Sequence, residues 1–483
     1  MAIFFTFVIM EETYAHFLQH PVFKVVSELS TQQQIAAYVI GGYVRDCLLS
    51  RVCKDIDIVV VGDGPAFAEA VAAKLRVKHV SVFKRYGTAH FKYKDIDVEF
   101  VGARKESYTP DSRNPATLPG TLTDDQMRRD FTINALAFNL SKTAFGKLED
   151  PFNGMKDLEL GILRTPLDPG VTYTDDPLRM MRAIRFATQL DFKIAGPSLE
   201  AIALHKERIN IVSMERISTE LNKIMCSSRP SRGYYLLKST GLLHFIFPEM
   251  IALCGVETIN GHSHKDNFDH TLEVLDNLSM HSENLWLRWA ALLHDIAKPP
   301  TKRFDPSIGW TFHGHEELGA RMVPRIFKRL KLPMDGKMKY VQKLVRLHLR
   351  PIALVKGSVT DSAIRRLLSE AGDDIDELMV LCNADITSKN EFKVKRYRKN
   401  FELVAEKLKM VEEKDRIRNF QPPVSGEYIM KYYGIGPCEA IGIIKSNIKE
   451  AILEGKIQNT FTDAENEMIL IGNTLGLTPV SRK

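Results

Sequence analysis

Tyr38-Val39-Ile40-Gly41-Gly42-Tyr43-Val44-Arg45-Asp46, followed by Asp55-Ile56-Asp57, is the stretch on which the reading of this chain turns. Tyr38 to Ile40 is a short apolar run that reads as a strand. The glycine pair after it lets backbone N–H groups come closer to phosphate oxygens than a Cβ would allow. Arg45 adds a forked donor for the same phosphates. Further on, Ile56, Ile58 and Val60 alternate with Asp55, Asp57 and Val59, the period of a strand whose successive side chains point to opposite faces. Asp55 and Asp57 therefore share a face. Two adjacent carboxylates repel unless cations neutralise them, and oxygen ligands of this kind suit Mg2+ bridging to substrate phosphates. A two-metal phosphoryl or nucleotidyl transfer site is the chemistry this pattern implies. A second strand, Ile96-Asp97-Val98-Glu99-Phe100, puts Asp97 and Glu99 on one face, so either could complete the metal cage. The bland alternative is a Gly-Gly turn and an Asp-x-Asp at a solvated strand edge.

These residues, with those downstream, resemble the class II tRNA nucleotidyltransferase and bacterial poly(A) polymerase family. Arg128-Arg129-Asp130-Phe131-Thr132-Ile133-Asn134 resembles the second family motif, and the resemblance implies ribose and phosphate contacts by Arg129, Asp130 and Asn134. Asp150-Pro151-Phe152-Asn153-Gly154 resembles the third, a loop between head and neck, and also reads as an Asn-Gly hairpin turn. Asp175-Asp176-Pro177-Leu178-Arg179 resembles the fourth. Ser213-Met214-Glu215-Arg216 with Glu220 resembles the fifth, which implies a structural brace. All five stand in family order between Gly41 and Glu220.

The fourth motif also has a chemical reading. Pro177 suits the first position of a helix, which puts Asp176 at the N-cap and Arg179 about one turn along the same surface. An ionised Asp only accepts hydrogen bonds and an Arg only donates them. Cytosine and adenine each present an amino group beside an unprotonated ring nitrogen, whereas uracil and guanine present a carbonyl beside an N–H. Asp176 and Arg179 together would pair with C and A and leave U and G unmatched, a difference that can reject an analogue by about 10⁴. Against this stands a plain cap at Asp176 and a solvated Arg179. Arg104 to Met127, with Pro110, Pro115, Pro119 and Gly120, reads as a long polar loop without hydrophobic periodicity. The resemblance implies that such a loop helps a pocket switch from C to A; a surface loop is the alternative.

A second chemical site lies further along. His270, the pair His294-Asp295, His315, His348 and Asp385 resemble the ligand set of the HD phosphohydrolase superfamily. The dyad sits in Trp289-Ala290-Ala291-Leu292-Leu293-His294-Asp295-Ile296-Ala297-Lys298, an apolar helix that would bury a charge, and a buried charge needs a partner or a metal. Imidazole and carboxylate at one centre suit a divalent transition metal such as Ni or Mn, or Mg2+, that lowers the pKa of bound water. The ligands would converge from separate helices of a bundle. His262 and His313 match no ligand position and read as surface residues.

At 483 residues the chain exceeds what one hydrophobic core spans, so two or more domains are expected. Hydrophobic content of 44% supports real cores, and 26% charged residues argue against disorder. Cys47, Cys53, Cys226, Cys254, Cys382 and Cys438 form no Cys-x-x-Cys pair, which points to a reducing, cytoplasmic compartment. The apolar opening from Met1 to Met10 lacks a basic leader and is too short to span a bilayer, so no targeting or membrane segment is expected, and Met10 is the expected initiator. Net charge is only +6, which excludes a general polyanion binder. Basic residues nevertheless cluster in Arg321, Arg325, Lys328, Arg329 and Lys331, and in Lys393, Lys395, Arg396, Arg398 and Lys399 with Phe392 and Tyr397 interleaved. Either cluster could contact the backbone of a folded RNA or be the solvated face of a helix.

The expected fold is α+β: a mixed-sheet nucleotidyltransferase head over residues 1–149, then an all-helical remainder. That remainder divides into a neck over 150–250, a metal-bearing HD bundle over 264–408 and a tail over 420–483 that the resemblance places against RNA. Strands are expected near Val39, Ile58, Val80, Phe91, Val98 and Phe138, and helices over Ala66–Leu75, Leu178–Leu190 and Glu439–Glu454. The resemblance implies a CCA-adding enzyme acting on tRNA with CTP and ATP, with phosphohydrolase activity in the HD domain. Two alternatives stay open: a poly(A) polymerase on the same scaffold, and an HD phosphohydrolase whose head only binds RNA. Oligomeric state is not readable from the sequence.

Overall fold

The computed structural model describes residues 13–84, 87–109, 112–356, 360–387, 391–415, 418 and 420–480. The opening Met1 to Met10 and Pro110 lie outside them, as do the side chains of Pro115, Lys393 and Arg398. The chain divides into two compact units, Met1–Pro248 and Glu249–Lys483.

The first unit begins with α1 (Pro21–Gln33), β1 (Ala37–Ile40), α2 (Gly42–Leu48), β2 (Asp55–Val60) and α3 (Gly64–Lys74). It continues through β3 (Ser81–Phe83), β4 (Thr88–Tyr93), β5 (Ile96–Gly102), β6 (Arg104–Thr109), β7 (Ser112–Pro119), α4 (Leu122–Met127), β8 (Ala137–Asn139) and β9 (Leu148–Glu149). Seven of these strands form one sheet in the order β3-β4-β5-β2-β1-β8-β9. β2 and β5 pair in parallel and the remaining neighbours are antiparallel, so the sheet is mixed, as expected. Ile56, Ile58, Val98 and Phe100 are fully buried on one face, where the Phe67 ring of α3 lies 6.1 Å from that of Phe100. The other face carries Ile40, Val59, Ala103 and Ala137 as a second small core, with Tyr38 and Leu122 against it. Asp55 and Asp57 belong to this second face at the strand's open end.

Arg104 to Met127 is not the expected loop. It folds as the antiparallel ribbon β6–β7 followed by α4, whose start is a capping box: Thr121 Oγ1 accepts from Asp124 N, and the Asp124 carboxylate accepts from Thr121 N. A two-stranded ribbon closes its backbone hydrogen bonds on itself and needs no apolar stripe, so periodicity does not announce it. Thr-x-x-Asp was the readable signal for the helix.

Helices α5 (Gly154–Leu160), α6 (Pro169–Asp175), α7 (Leu178–Leu190), α8 (Gly196–His205), α9 (Met214–Met225), α10 (Ser231–Ser239), α11 (Leu242–Ile246) and α12 (Pro248–Ala252) follow, interrupted by a two-residue parallel ladder of β10 (Ile162–Leu163) with β11 (Lys193–Ile194). α7 has the bounds its apolar spacing predicted. It is held on α9 by a buried ion pair, Arg185 Nε to Glu220 Oε2 at 2.9 Å, the bracing role expected of Glu220. Asn153 has φ 56° and starts α5 rather than a hairpin; Asp150 stabilises that start by accepting from Gly154 N and Met155 N at 2.7 and 2.9 Å.

The second unit packs α13 (Asn267–Ser279), α14 (Leu285–Leu293), α15 (Lys298–Thr301), α16 (His315–Arg329), α17 (Gly336–Leu347), α18 (Leu349–Lys356), α19 (Asp361–Ala371) and α20 (Ile375–Ala384) around a core that includes the fully buried Trp289, Phe268 and Phe327. The long α21 (Glu391–Asp415) precedes α22 (Gly426–Tyr433), α23 (Glu439–Glu454) and α24 (Phe461–Thr474). Two hairpins depart from the all-helical expectation: β12 (Thr258–Ile259) with β13 (His262–Ser263), and β14 (Arg303–Asp305) with β15 (Gly309–Thr311). Among the described residues no helix is long and apolar enough to cross a membrane.

A Cβ on Gly154 would lie 3.0 Å from Leu136 Cδ2 and closer still to the Thr132 carbonyl. Gly154→Ala is therefore expected to cost about 1–3 kcal/mol by overpacking, read as a lower denaturation midpoint of the full chain. An unchanged midpoint would mean that α5 shifts freely at this contact.

Two candidate active sites

The first site is a cleft of about 530 Å³ at the open end of β2. Register stacks its acids: Asp55 pairs with Asp97 and Asp57 with Glu99 across β2–β5, and Ile40, just before the glycines, pairs with Asp57 across β1–β2. All four carboxylates line the cleft. Burial pushes the Asp57 carboxyl above its ordinary value; Arg129 opposes that and Asp55 adds to it. Burial and Asp57 push Glu99 up as well. Carboxylates that ionise reluctantly beside one another are a site short of positive charge, and hard oxygen donors converging there fit divalent cations.

Gly41 adopts φ 83°, ψ −131°, a conformation unfavourable for residues with a Cβ. Such a Cβ would also stand 2.7 Å from Arg129 Nη1 and 3.4 Å from Asp57 Oδ2. The Gly41 N–H donates to the Leu136 carbonyl. The amides available to phosphate are thus those of the first turn of α2, beginning at Gly42, which lines the cleft.

Arg45, Asn134 and Asp130 lie in one hydrogen-bonded chain. The Arg45 guanidinium donates to both oxygens of Asp46 at 2.9 Å and to Asn134 Oδ1 at 2.7 Å. Asn134 Nδ2 donates to Asp130 Oδ1 at 2.9 Å, and Arg182 Nε donates to Asp130 Oδ2 at 2.6 Å. Although burial opposes it, Arg182 and these hydrogen bonds hold the Asp130 carboxyl down at about 2. Arg129 is aimed by Asp125, a fully buried carboxylate 3.2 Å from it.

Asp176 and Arg179 do not line the cleft. Asp176 Oδ1 caps α7 from Leu178 N at 3.2 Å, and Arg179 donates to the Arg128 carbonyl. Arg182, Arg185 and Phe186, further along the same helix, form that wall instead. The Arg45, Arg182 and Arg185 guanidinium carbons sit 4.8, 5.4 and 3.9 Å from the Phe186 ring centroid. Helical spacing from Arg179 could have found Arg182 and Phe186. His90 was missed too. Its Nε2 is 3.2 Å from Asp97 Oδ1, and it faces Glu99 across β4–β5; alternation along the strand expected near Phe91 gives its face, though not its partner.

The second site brings together every ligand expected of it. His270, His294 and Asp385 form one triplet able to hold an ion, and Asp295, His315 and His348 form another. Asp295 joins them: Oδ2 lies 3.4 Å from His270 Nε2 and 3.2 Å from His294 Nε2, while Oδ1 lies 3.2 Å from His315 Nε2 and 3.9 Å from His348 Nε2. Three imidazoles are oriented alike. His294, His315 and His348 each place Nδ1 2.6–2.7 Å from the carbonyl three residues back, which leaves Nε2 inward. Those three Nε2 atoms are buried and, among the described residues, make no aligned hydrogen bond, although the Asp295 carboxylate lies 3.2–3.9 Å from each, which fits metal ligation. Burial works against a charged His294, but Asp295 and Asp385 raise it to about 10; burial and the neighbouring His294 push His348 down to about 4. Lys298, absent from the expected set, sits 2.5 Å from Asp295 Oδ2, and Thr387 Oγ1 meets His270 Nδ1 at 2.9 Å. His262 and His313 are exposed.

Three family models match the chain: the poly A polymerase head domain over residues 37–164, the probable RNA and SrmB- binding site of polymerase A over 191–254, and the HD domain over 267–390. A "Multifunctional CCA protein" of Nitrosococcus oceani is 35% identical over 365 residues, covering 72% of this chain and 84% of that protein. An "A-adding tRNA nucleotidyltransferase" of Deinococcus radiodurans is 31% identical over 434 residues, 87% of this chain and 92% of that one. The chain belongs to the tRNA nucleotidyltransferase family. Its fold is that of solved relatives: a CCA-adding enzyme in apo form superimposes with a TM-score of 0.63 at 21% identity, covering 96% of this chain and 97% of that one. The Thermotoga maritima CCA-adding enzyme complexed with tRNA gives 0.59 at 20% identity, with 96% and 99% covered. Nucleotidyltransferases of this family and HD domains are metal-dependent, and the carboxylate cleft and the six-ligand cluster are where this nucleotidyltransferase can hold ions.

Because the folded protein raises the Asp57 pKa, ionised Asp57 costs stability above that pKa, and the cost is relieved as pH falls through it. Asp57→Asn is expected to abolish nucleotide incorporation and yet to stabilise the metal-free protein by about 0.5–2 kcal/mol at neutral pH. The gain should shrink on acidification. Thermal melts of both proteins in a chelating buffer, at neutral and acidic pH, test this; a destabilised variant at neutral pH would show that Asp57 is satisfied without a cation.

Proposed function

We propose that this chain adds C and A to the 3′ end of tRNA from CTP and ATP without a nucleic-acid template. The observation that carries the reading is the row of carboxylates on β2 and β5 beside a glycine turn that no side chain could occupy. Mg2+ held by Asp55 and Asp57, with Glu99 as the third carboxylate, would activate the 3′-hydroxyl and neutralise charge on the triphosphate. The chain's own groups supply positioning. First-turn amides of α2 and the Arg129 and Arg182 guanidinium groups approach the phosphates, and Asp130 and Asn134 keep Arg182 and Arg45 in place for them. The tRNA 3′ oxygen bonds to the α-phosphorus as the bond to pyrophosphate breaks. Asp176 and Arg179 remain the groups whose donor and acceptor pattern fits C and A; reaching a base requires them to exchange the Leu178 amide and the Arg128 carbonyl for it. Lys395 and Arg396, exposed on α21, and Arg398 are our candidates for tRNA backbone contacts, which carry no base specificity.

The HD unit is proposed to hydrolyse phosphate esters, 2′,3′-cyclic RNA ends among them. Mg2+ or a transition metal such as Mn or Ni would supply a hydroxide there. Two ligand triplets, with Asp295 of the second also facing His270 and His294 of the first, support a pair of ions. The six cysteines are all free, which supports a cytoplasmic location.

The Deinococcus relative favours a second reading, in which the enzyme adds only the terminal A. Incubation with tRNA ending before CCA, after C and after CC, with each labelled nucleotide, separates them. Full CCA addition requires CTP incorporation on the first two substrates and one ATP on the third. ATP alone entering, and only on CC ends, means A addition; unlimited adenosine growth means a poly(A) polymerase. Entry of UTP as readily as CTP would overturn the Asp176–Arg179 template. His294→Ala and Asp57→Asn are each expected to lose one activity by at least about 10²-fold and keep the other, since each removes a group of one metal site only. Joint loss in either variant would mean that the two sites are not separate.

A further inference from the structure

The hairpins β12–β13 and β14–β15 stand beside the HD ligands without contributing one. Trp310 Nε1 donates to the His262 carbonyl at 3.1 Å, which fixes the indole. His264 lies edge-on to both Trp310 and Phe312, at 5.3 and 5.9 Å with interplanar angles of 87° and 89°. The Lys302 ammonium is 5.0 Å from the Trp310 centroid and the Lys298 ammonium 5.6 Å from that of Phe312. This group is joined to the metal cluster twice. Lys298 also reaches Asp295, and the Phe312 carbonyl accepts from Nδ1 of the ligand His315 at 2.6 Å. Unlike Trp289 in the bundle, which is fully buried, Trp310 and Phe312 keep part of their surface in solvent.

We propose that Trp310 and Phe312 form a nucleobase-stacking wall for the HD site, and that they select esters bearing a base over small phosphate esters. The proposal rests on the phosphohydrolase reading of this unit. Bases of any sequence stack on aromatic faces, and a base arriving on a face that Lys302 or Lys298 now covers would displace that ammonium toward the phosphate. Lys298 touches both Asp295 and Phe312, so the metal cluster and the wall lie within reach of one lysine side chain.

The test uses the full chain, with the His294→Ala protein as the reference for binding at the head site. Binding of a nucleoside 2′-monophosphate and of glycerol 2-phosphate is followed by calorimetry, and hydrolysis of both is followed by phosphate release. Trp310→Ala and Phe312→Ala are expected to raise Kd and KM for the base-bearing ester about tenfold, with a distinctly smaller change in both constants for glycerol 2-phosphate. Trp310→Phe and Phe312→Tyr should restore most of the loss. Equal weakening of both esters, or of neither, overturns the wall, as does equal binding of the two esters by the unaltered protein. If the base-bearing ester binds selectively through Trp310 and Phe312 but neither ester is hydrolysed, the phosphohydrolase reading fails and the wall stands.

Discussion

Mutual repulsion among acids on adjacent strands governs the nucleotide cleft. Asp55 and Asp57 on β2 meet Asp97 and Glu99 on β5 in a register that gives each acid an acidic neighbour. A soluble sheet has no structural use for such a row, since like charges directly opposite destabilise it. It persists because the two strands are anchored behind the acids by Ile56, Ile58, Val98 and Phe100, all without solvent exposure. Hydrophobic burial on one face thus holds charges together on the other, a repulsion that a bound cation would relieve.

Around that row the protein places fixed positive charge rather than mobile lysines. Asp125 aims Arg129, Asp130 aims Arg182, and Glu220 aims Arg185. Each guanidinium is thereby ordered before substrate arrives, and its planar fork loses little further entropy on meeting phosphate. The second unit follows the same logic with imidazoles. Backbone carbonyls take Nδ1 of three ligands, so the geometry for a metal is set by helix turns rather than by the metal.

Much of this was legible in the sequence where a short-range rule applied. Strand alternation gave the shared face of Asp55 and Asp57, helical spacing gave the bounds of α7 and α23, and the resemblance to the HD superfamily named the six residues that the second unit brings together. Long-range facts were not legible. Nothing local says that β5 rather than β4 lies beside β2, that Arg45 would be held by Asn134, or that Arg179 would rest on the Arg128 carbonyl while Arg182 and Phe186 line the cleft. The ribbon β6–β7 and the hairpins of the second unit escaped because small two-stranded elements bury too little to imprint a hydrophobic period.

The sheet's topology also bears on how the head assembles. β2 and β5 are its one parallel pair, and α3, β3 and β4 intervene along the chain. Closing so long a connection sacrifices chain entropy before any contact forms, so this pairing joins late on the folding route. The acid row is accordingly absent from the early nucleus. Cations that bind it therefore act mainly as a brake on unfolding, with little effect on the speed of folding.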